Sequence, residues 1–473
     1  MKGFGKGMNT VPSLSLSKGR PSLRFRAFPK DSPSTSSGKR FFGKYLALTS
    51  LFLSTPALAQ TIAITGGKVA IGDGSATIEN GTVIITAGRI TAAGAGIAIP
   101  PGARRIDASG KWVTPGIVAG FSRIGMSEVE GVDPTNDTVA PRSPFSVAID
   151  AADAVNPRAV AIAISRAGGV TRAIIAPSTA QSMFAGQGAI IDTGADFDAI
   201  TKPRAFQFME FGEGAAGEAG GSRSAAWAYF RNAVQEARDY AVSLRPMGMR
   251  PHDAMLKRAD MAALLPVVMG EVPLMIHVES VTDIIKVLKL KQDIPAIRLI
   301  LAGVGEGWEV ADRIAAAKVP VVLDALSDLP DSFETLSATQ SNAGRLRKAG
   351  VMVSLGSLNR FETLQARTLT QDAGNMVALT RVPGATGLSW PEALASITSR
   401  PAEMVGMGAE IGSLKAGRRA DVVIWDGDPL ELSSAATQVF IDGVDQPLGN
   451  RQLRLRDRYR TAPEGTLPKA YDR

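Results

Sequence analysis

The chain of 473 residues is 45% hydrophobic and 21% charged, which is the composition of a globular protein and not of a disordered or fibrous one. Its formal net charge of +7 comes from the first 59 residues, which hold ten Lys or Arg and one Asp and leave a net charge of −2 for the rest. The body of the chain therefore lacks the basic surface of a nucleic-acid-binding protein, and no nucleic-acid partner is expected.

Residues 1–59 predict an export leader. The basic segment KRFFGK (39–44) precedes the apolar run YLALTSLFLS (45–54), and an Ala-Leu-Ala motif that ends at Ala59 supplies a cleavage site. The run is too short to cross a bilayer, so the chain is not expected to be an integral membrane protein. We expect a periplasmic or secreted protein cleaved after Ala59; a disordered basic tail is the alternative. The absence of cysteine is compatible with an oxidising compartment.

Three regions follow the leader. Residues 60–113 alternate in hydrophobicity between Gly-rich turns and predict short antiparallel strands. Residues 114–407 alternate apolar strand-like runs with helical segments, which favours a (β/α)8 TIM-type barrel, with a doubly wound sheet as the alternative. Residues 408–473 return to β character. The predicted architecture is thus an α/β barrel with a composite β-sandwich domain formed by both chain ends.

Within the barrel region, buried parallel strands are predicted where short apolar runs are bounded by turn residues. These runs are TRAIIAP (171–177), VPLMIHVES (272–280), IRLILAG (297–303), VPVVLDA (319–325) and GVMVSLGS (350–357). Gly186-Gln187-Gly188 predicts a turn, and the Gly-rich segment from Gly212 to Ser224 predicts a mobile loop.

Several motifs occur in the order found in the amidohydrolase superfamily, and they resemble its imidazolonepropionase-like branch. VTPGIV (113–118) resembles the entry to the first barrel strand, AGGVTRAIIAP (167–177) a Gly-Val-Thr strand, and VPLMIHVES the fifth strand with its histidine. LSWPEALASITSRPAEMVGM (388–407), followed by IGSLKAGRRADVVIWDGDPL (411–430), resembles the C-terminal signature of that family. The resemblance covers nearly all of residues 61–445.

This resemblance implies hydrolysis of amide or other C–N bonds by one or two divalent metals, usually zinc. The implied ligands are a His-x-His pair on strand one, a histidine on each of strands five and six, and an Asp at the end of strand eight. Carried over to this chain, those positions fall on Phe121, Arg123, His277, Gly303 and Leu358. Of these residues only His277 keeps the family's ligand. A Glu found ahead of strand five in many relatives is aligned with Ala262.

The whole chain has two histidines, His252 and His277, so no alignment yields a histidine-rich metal site. His252 is predicted to lie in a loop. His277 is interpreted either as a residual ligand or base, or as a hydrogen-bonded histidine at a strand end. Phe121 is expected to fill the emptied metal pocket, or to stack on a ligand.

Arg123, Glu128 and Glu306 are the candidate ligand-binding residues, and Arg123 has two open interpretations. Its guanidinium is suited to binding a carboxylate ligand, or it forms an ion pair with a nearby carboxylate such as Glu128 or Glu306. Glu306 itself stands before a predicted helix, where a negative charge is favourable.

Two hypotheses about function remain. The first is an exported amidohydrolase-like protein with a degenerate metal site and no cofactor. It would bind a small amide or peptide-like ligand or act as the partner of an active amidohydrolase. The second is an active C–N bond hydrolase with a rearranged site around His277, and with zinc as its cofactor if it holds a metal.

Overall fold

The computed structural model describes residues 61–129, 131–243, 254–358 and 363–460. The predicted leader and its cleavage site lie outside these residues, as does His252. Within the described ranges, no helix has the length and apolar character needed to cross a membrane.

Strands from both chain ends form the first sheet. Its strands are β1 (Ile62–Val69), β2 (Ile78–Thr86), β3 (Arg89–Gly94), β4 (Arg104–Asp107), β5 (Trp112–Pro115), β14 (Val422–Trp425), β15 (Ala436–Ile441) and β16 (Val444–Asp445). The order is β16-β15-β14-β5-β1-β2-β3, with β4 paired to β1. The two chain ends meet where β5 pairs with β14, and there the Trp425 indole donates a hydrogen bond to Thr114 Oγ1 (2.9 Å).

The second sheet is the barrel. Its strands are β6 (Ile117–Ser122), β7 (Val170–Ile175), β8 (Phe184–Asp192), β9 (Ile200–Glu210), β10 (Leu274–Val278), β11 (Leu299–Gly303), β12 (Val321–Leu323) and β13 (Val353–Leu355). At the seam, the amide of Ser357 donates to the carbonyl of Phe121 (3.0 Å). Gly120 permits this approach, because a Cβ there would lie 2.4 Å from the carbonyl oxygen of Leu355.

Helices cover the barrel. The α-helices within the described residues are α1 (Val160–Ala167), α2 (Glu213–Glu218), α3 (Arg223–Ser243), α4 (Arg258–Val268), α5 (Val281–Asp293), α6 (Ala311–Ala317), α7 (Asn342–Lys348), α8 (Leu369–Ala378), α9 (Trp390–Ser396), α10 (Ser399–Met404) and α11 (Arg451–Arg460). Local sequence sets several of their starts. Ser280 caps α5, and Ser389 with Glu392 forms a capping box at α9, inside the predicted C-terminal signature.

One strand departs from the expected parallel barrel. β8 runs antiparallel to both of its neighbours, β7 and β9, whereas the other strands are parallel to one another. The predicted turn at Gly186–Gly188 is therefore wrong, because both glycines lie inside β8. Gly188 is needed there since a Cβ would lie 2.1 Å from the Phe206 ring. The prediction of a barrel with a second β domain from both chain ends is confirmed.

A second correction concerns the Gly-rich segment from Gly212 to Ser224. It forms α2 and the first two residues of α3, and within it only Gly212 and residues 219–222 lie outside a helix. Alanines 215 and 216 anchor α2 because both are buried against the barrel. This helix carries an acidic side chain, Glu218, to the carboxyl end of the barrel strands.

A buried arginine joins the two sheets. Arg172 on β7 is fully buried and binds both carboxylate oxygens of Asp421 (2.8 and 3.0 Å), next to β14. It also lies 2.9 Å from Asp442 after β15 and 3.4 Å from Asp192 on β8. A charge this deeply buried is tolerated only when carboxylates surround it, so the barrel and the first sheet are joined by an ionic cluster.

Candidate functional site

The carboxyl ends of the barrel strands bring the family's ligand positions together. In barrels of this kind the site lies at this end, where the loops that follow the strands converge. Phe121 lies near the end of β6, His277 lies on β10, Gly303 ends β11, and Leu358 follows β13. We refer to this end as the barrel mouth.

Phe121 occupies the interior of the mouth. Its side chain is 1% exposed and its ring centroid lies 5.2 Å from that of Phe208, in a tilted arrangement. Ile174, Met275 and Val322 belong to the same buried apolar cluster, and Leu358 packs against it. Phe121 therefore lies in a closely packed apolar cluster, at a position that the family resemblance assigns to a metal ligand.

Arg123 directly follows β6. Its guanidinium carbon lies 5.3 Å from the centroid of the Phe121 ring, within the range of a cation–π contact. Burial lowers the pKa of Arg123, and the charge of Glu210 opposes that effect. Its Nε is buried without a hydrogen-bond partner among the described residues.

Glu128 and Glu306 have other partners. Glu128 accepts hydrogen bonds from the side chain of Asn156 and the amide of Val160, at the start of α1. Glu306 accepts from the amide of Val281 (3.0 Å), the first residue of α5, and from the amide of Ser337 (3.3 Å). Among the described residues, neither of these two carboxylates forms an ion pair with Arg123, and both stabilise helix starts or loops.

His277 is held by Glu279, a carboxylate of the same VPLMIHVES run that was not predicted as a site residue. Its Nε2 lies 2.8 Å from Oε1 of Glu279, whose other oxygen accepts the amide of Gly305 (2.6 Å). Burial disfavours the imidazolium, but the hydrogen bond to Glu279 and the charges of Glu279, Glu210 and Asp324 outweigh it. They raise the pKa of His277 to about 9. At neutral pH the ring is a cation paired with Glu279.

Gly303 leaves no room for a side chain. Its φ is +83°, and a Cβ there would lie 2.2 Å from Oε1 of Glu279 and 2.8 Å from Cδ2 of His277. The carboxylate of Glu279 thus occupies the space that a residue at the strand-six position would need. On strand eight, the amide of Leu358 donates to Asp324 Oδ1 (2.8 Å).

Two further acidic residues reach the mouth. Glu210 ends β9 and pairs across the sheet with His277. Glu218 ends α2; burial and the neighbouring charge of Glu210 raise its pKa to about 7, although a hydrogen bond from Thr179 opposes them. Neither residue was identified from the sequence. The expected carboxylate was aligned with Ala262, which lies within α4, and the usable signal was the alternating run FQFME that ends at Glu210.

These residues do not fit a divalent metal. Within the described ranges, no three His, Asp or Glu side chains are arranged to hold one. The surviving ligand, His277, already uses Nε2 for Glu279. Arg123 adds a positive charge at a ligand position, which opposes a metal cation.

The fold and the position of the mouth define a barrel protein with its site at the carboxyl ends of the strands. A family model described as the amidohydrolase family matches residues 306–444. The amidohydrolase tasK of Hapsidospora irregularis is 26% identical over 381 residues, which are 74% of this chain and 38% of that protein. This chain therefore spans well under half the length of that relative.

A 5-methylthioadenosine/S-adenosylhomocysteine deaminase of Symbiobacterium thermophilum is 26% identical over 416 residues, covering 79% of this chain and 87% of the relative. The crystal structure of an amidohydrolase from Thermotoga maritima MSB8 matches with a TM-score of 0.70 at 24% identity, over 81% of this chain and 99% of that one. This structural likeness bears on the fold. The family model and the sequence relatives are those of amidohydrolases and of a deaminase, to which this chain is similar.

Proposed function

We propose that this protein is an exported member of the imidazolonepropionase-like branch that has given up the metal chemistry of the superfamily. It acts as a ligand-binding protein or as the partner subunit of an active relative. The observation that carries this proposal is the closed strand-six position: Glu279 holds His277 in the space beside Gly303. Phe121 and Arg123 at the strand-one positions support the same conclusion.

Metal content tests this proposal. The purified protein, produced in medium supplemented with zinc, is expected to contain well under one equivalent of metal and to hydrolyse neither dipeptides nor lactams. Co-purification of a second amidohydrolase from the native host would support the partner role. Stoichiometric zinc that disappears together with a hydrolytic activity in a His277→Ala variant would overturn the proposal.

One observation favours the second candidate, an active hydrolase with a rearranged site. Glu218 has a pKa of about 7 beside Glu210, and a carboxyl group that titrates near neutrality is suited to general acid–base catalysis. Under this hypothesis, turnover of a dipeptide or a lactam survives chelation and falls roughly 100-fold or more in a Glu218→Gln variant. Equal rates in the wild type and this variant would exclude the role of Glu218.

A further inference from the structure

A groove of about 690 Å³ lies between α3 and α5, in the layer of helices that covers the barrel. α3 lines it from Arg223 to Arg238, a rise of about 22 Å along the helix, so the groove is elongated. Its volume lies within the range of small-molecule sites, roughly 300–1,000 Å³. None of the residues described at the barrel mouth lines this groove, which is therefore a separate site.

The groove is cationic. Five Lys or Arg side chains and one Asp line it and give it a formal charge of +4, whereas residues 60–473 together carry −2. At one end a carboxylate neutralises two of the cations, because Asp283 lies 2.9 Å from Nε of Arg223 and 3.2 Å from Nζ of Lys286. A cleft lined by unpaired charges of one sign attracts ligands of the opposite sign. The remaining cations have no ion pair or hydrogen bond with any described residue; they are Arg231, Arg238 and Lys289.

Apolar surface lies between these charges. The ring of Trp227 is half-buried on the α3 side of the groove. Phe230 and Val234 continue that side, Leu290 and Ile294 line the groove from α5, and all four are buried. The hydrocarbon stems of long Arg and Lys side chains add apolar surface while their charged ends reach water. The groove thus combines an apolar floor with a cationic rim.

These properties disfavour two other kinds of occupant. A small inorganic anion would leave most of the groove unfilled, since even a water molecule takes up only about 30 Å³. A partner protein would gain little apolar contact, because the four floor residues are at most 6% exposed. A stable protein interface buries about 1,200–2,000 Å² in total. A slender molecule with a charged end suits both the floor and the rim.

We propose that this groove binds a single-chain amphiphile with an anionic head, such as a long-chain carboxylate. The chain lies along Trp227 and the apolar floor, and the head lies among the three unpaired cations. Burial of the chain supplies most of the affinity, and the cations select the sign of the head. This proposal is independent of the function proposed for the barrel mouth, because the two sites share no residue.

Ligands that each lack one feature test the proposal. Dodecanoate, dodecyltrimethylammonium and acetate are titrated into the protein by calorimetry, below the concentrations at which the two amphiphiles form micelles. We expect dodecanoate to bind and the other two to bind at least roughly ten-fold more weakly, since one has the wrong charge and the other lacks the chain. The proposal is overturned if dodecanoate does not bind, if the cationic amphiphile binds equally well, or if acetate does, which would leave an adventitious ion only.

A triple variant assigns the head group to the rim. Arg231→Gln, Arg238→Gln and Lys289→Gln combined should weaken dodecanoate binding by roughly ten-fold, because three exposed charge contacts are lost. The matched control removes three exposed cations outside the groove, by Arg105→Gln, Arg313→Gln and Arg381→Gln, and should bind like the wild type. Equal affinities of the two triple variants would contradict the proposal.

Trp227 reports on the chain of the ligand. Dodecanoate should change the tryptophan fluorescence of the wild type, and Trp227→Phe should abolish that change although calorimetry still detects binding. Trp308→Phe, outside the groove, is the matched control and should keep the change. Unaltered fluorescence of the wild type, or a change that persists in Trp227→Phe, would place the ligand elsewhere and overturn the proposal.

Discussion

Two cationic side chains occupy positions that the family resemblance assigns to metal ligands, Arg123 on strand one and His277 on strand five. An active relative is expected to hold a divalent cation there, whereas this chain has the guanidinium of Arg123 at the end of β6 and an imidazolium at His277. Both are monovalent cations attached to the chain, and neither can activate water as a metal does.

The protonation of His277 can be measured directly. Because the folded pKa is about 9 against an ordinary value of 6.5, pairing with Glu279 stabilises the fold fully below pH 6.5, and this stabilisation is lost as the pH rises through 9. We expect one imidazole resonance to titrate near pH 9 in a nitrogen-15 NMR experiment. His277→Gln should remove that resonance and leave the one from His252. In Glu279→Gln the midpoint should fall towards the ordinary value; a wild-type midpoint already there would contradict the ion pair.

At the scale of the secondary-structure element, the turn that follows β11 explains how His277 and Glu279 are held together. Gly303 and Val304 both have positive φ, +83° and +49°, and Val304 is buried. A β-branched residue in this region is strained, so the packing around Val304 must hold the turn in place. The turn points the amide of Gly305 at Glu279, which orients the carboxylate towards His277.

Substitution at Gly303 should therefore cost more than backbone strain alone. Gly303→Ala is matched by Gly350→Ala, because Gly350 also has a positive φ (+91°) but a Cβ added there would meet no atom within 4 Å. We expect both to lower the free energy of unfolding by about 1 kcal/mol or more through strain, and Gly303→Ala to lose roughly 1–3 kcal/mol in addition because it displaces Glu279. Urea unfolding measures both. Equal losses of unfolding free energy in the two variants would mean that Glu279 does not occupy the space next to Gly303.

At the scale of the whole molecule, the ionic cluster around Arg172 links the stability of the barrel to that of the first sheet. Arg172→Met removes the charge that Asp421 and Asp442 share, and should destabilise the protein by about 3–5 kcal/mol. Arg89→Met, which breaks an exposed pair with Glu410, should change stability by at most about 1 kcal/mol. Thermal or urea unfolding compares the stability of the two variants. Similar losses of stability would show that the buried ion pairs of Arg172 contribute no more than the exposed pair of Arg89.

The barrel was predictable from the sequence where hydrophobicity decided the structure. β7 and β10 to β13 are short apolar runs between turn residues, and only burial on both faces accounts for such runs. Prediction failed at β8 and at α2, because the glycines in both segments indicate a turn or a loop. In β8 the glycine at 188 instead lets the strand pack against the Phe206 ring, and α2 is a helix that packs through its buried alanines. The mouth was predicted in part. Family positions identified Phe121, Arg123 and Gly303, but the carboxylates at 210, 218 and 279 match no ligand position of the family and were not predicted as site residues.

The pairing of β5 with β14 has a consequence for synthesis on the ribosome. Thr114 and its partner Trp425 are 311 residues apart, so at about 5 to 20 residues per second the centre of the first sheet stays incomplete for roughly 15 to 60 s. During that time β5 presents an unpaired edge that invites aggregation. The first sheet therefore cannot be completed before the last strands of the chain have been synthesised.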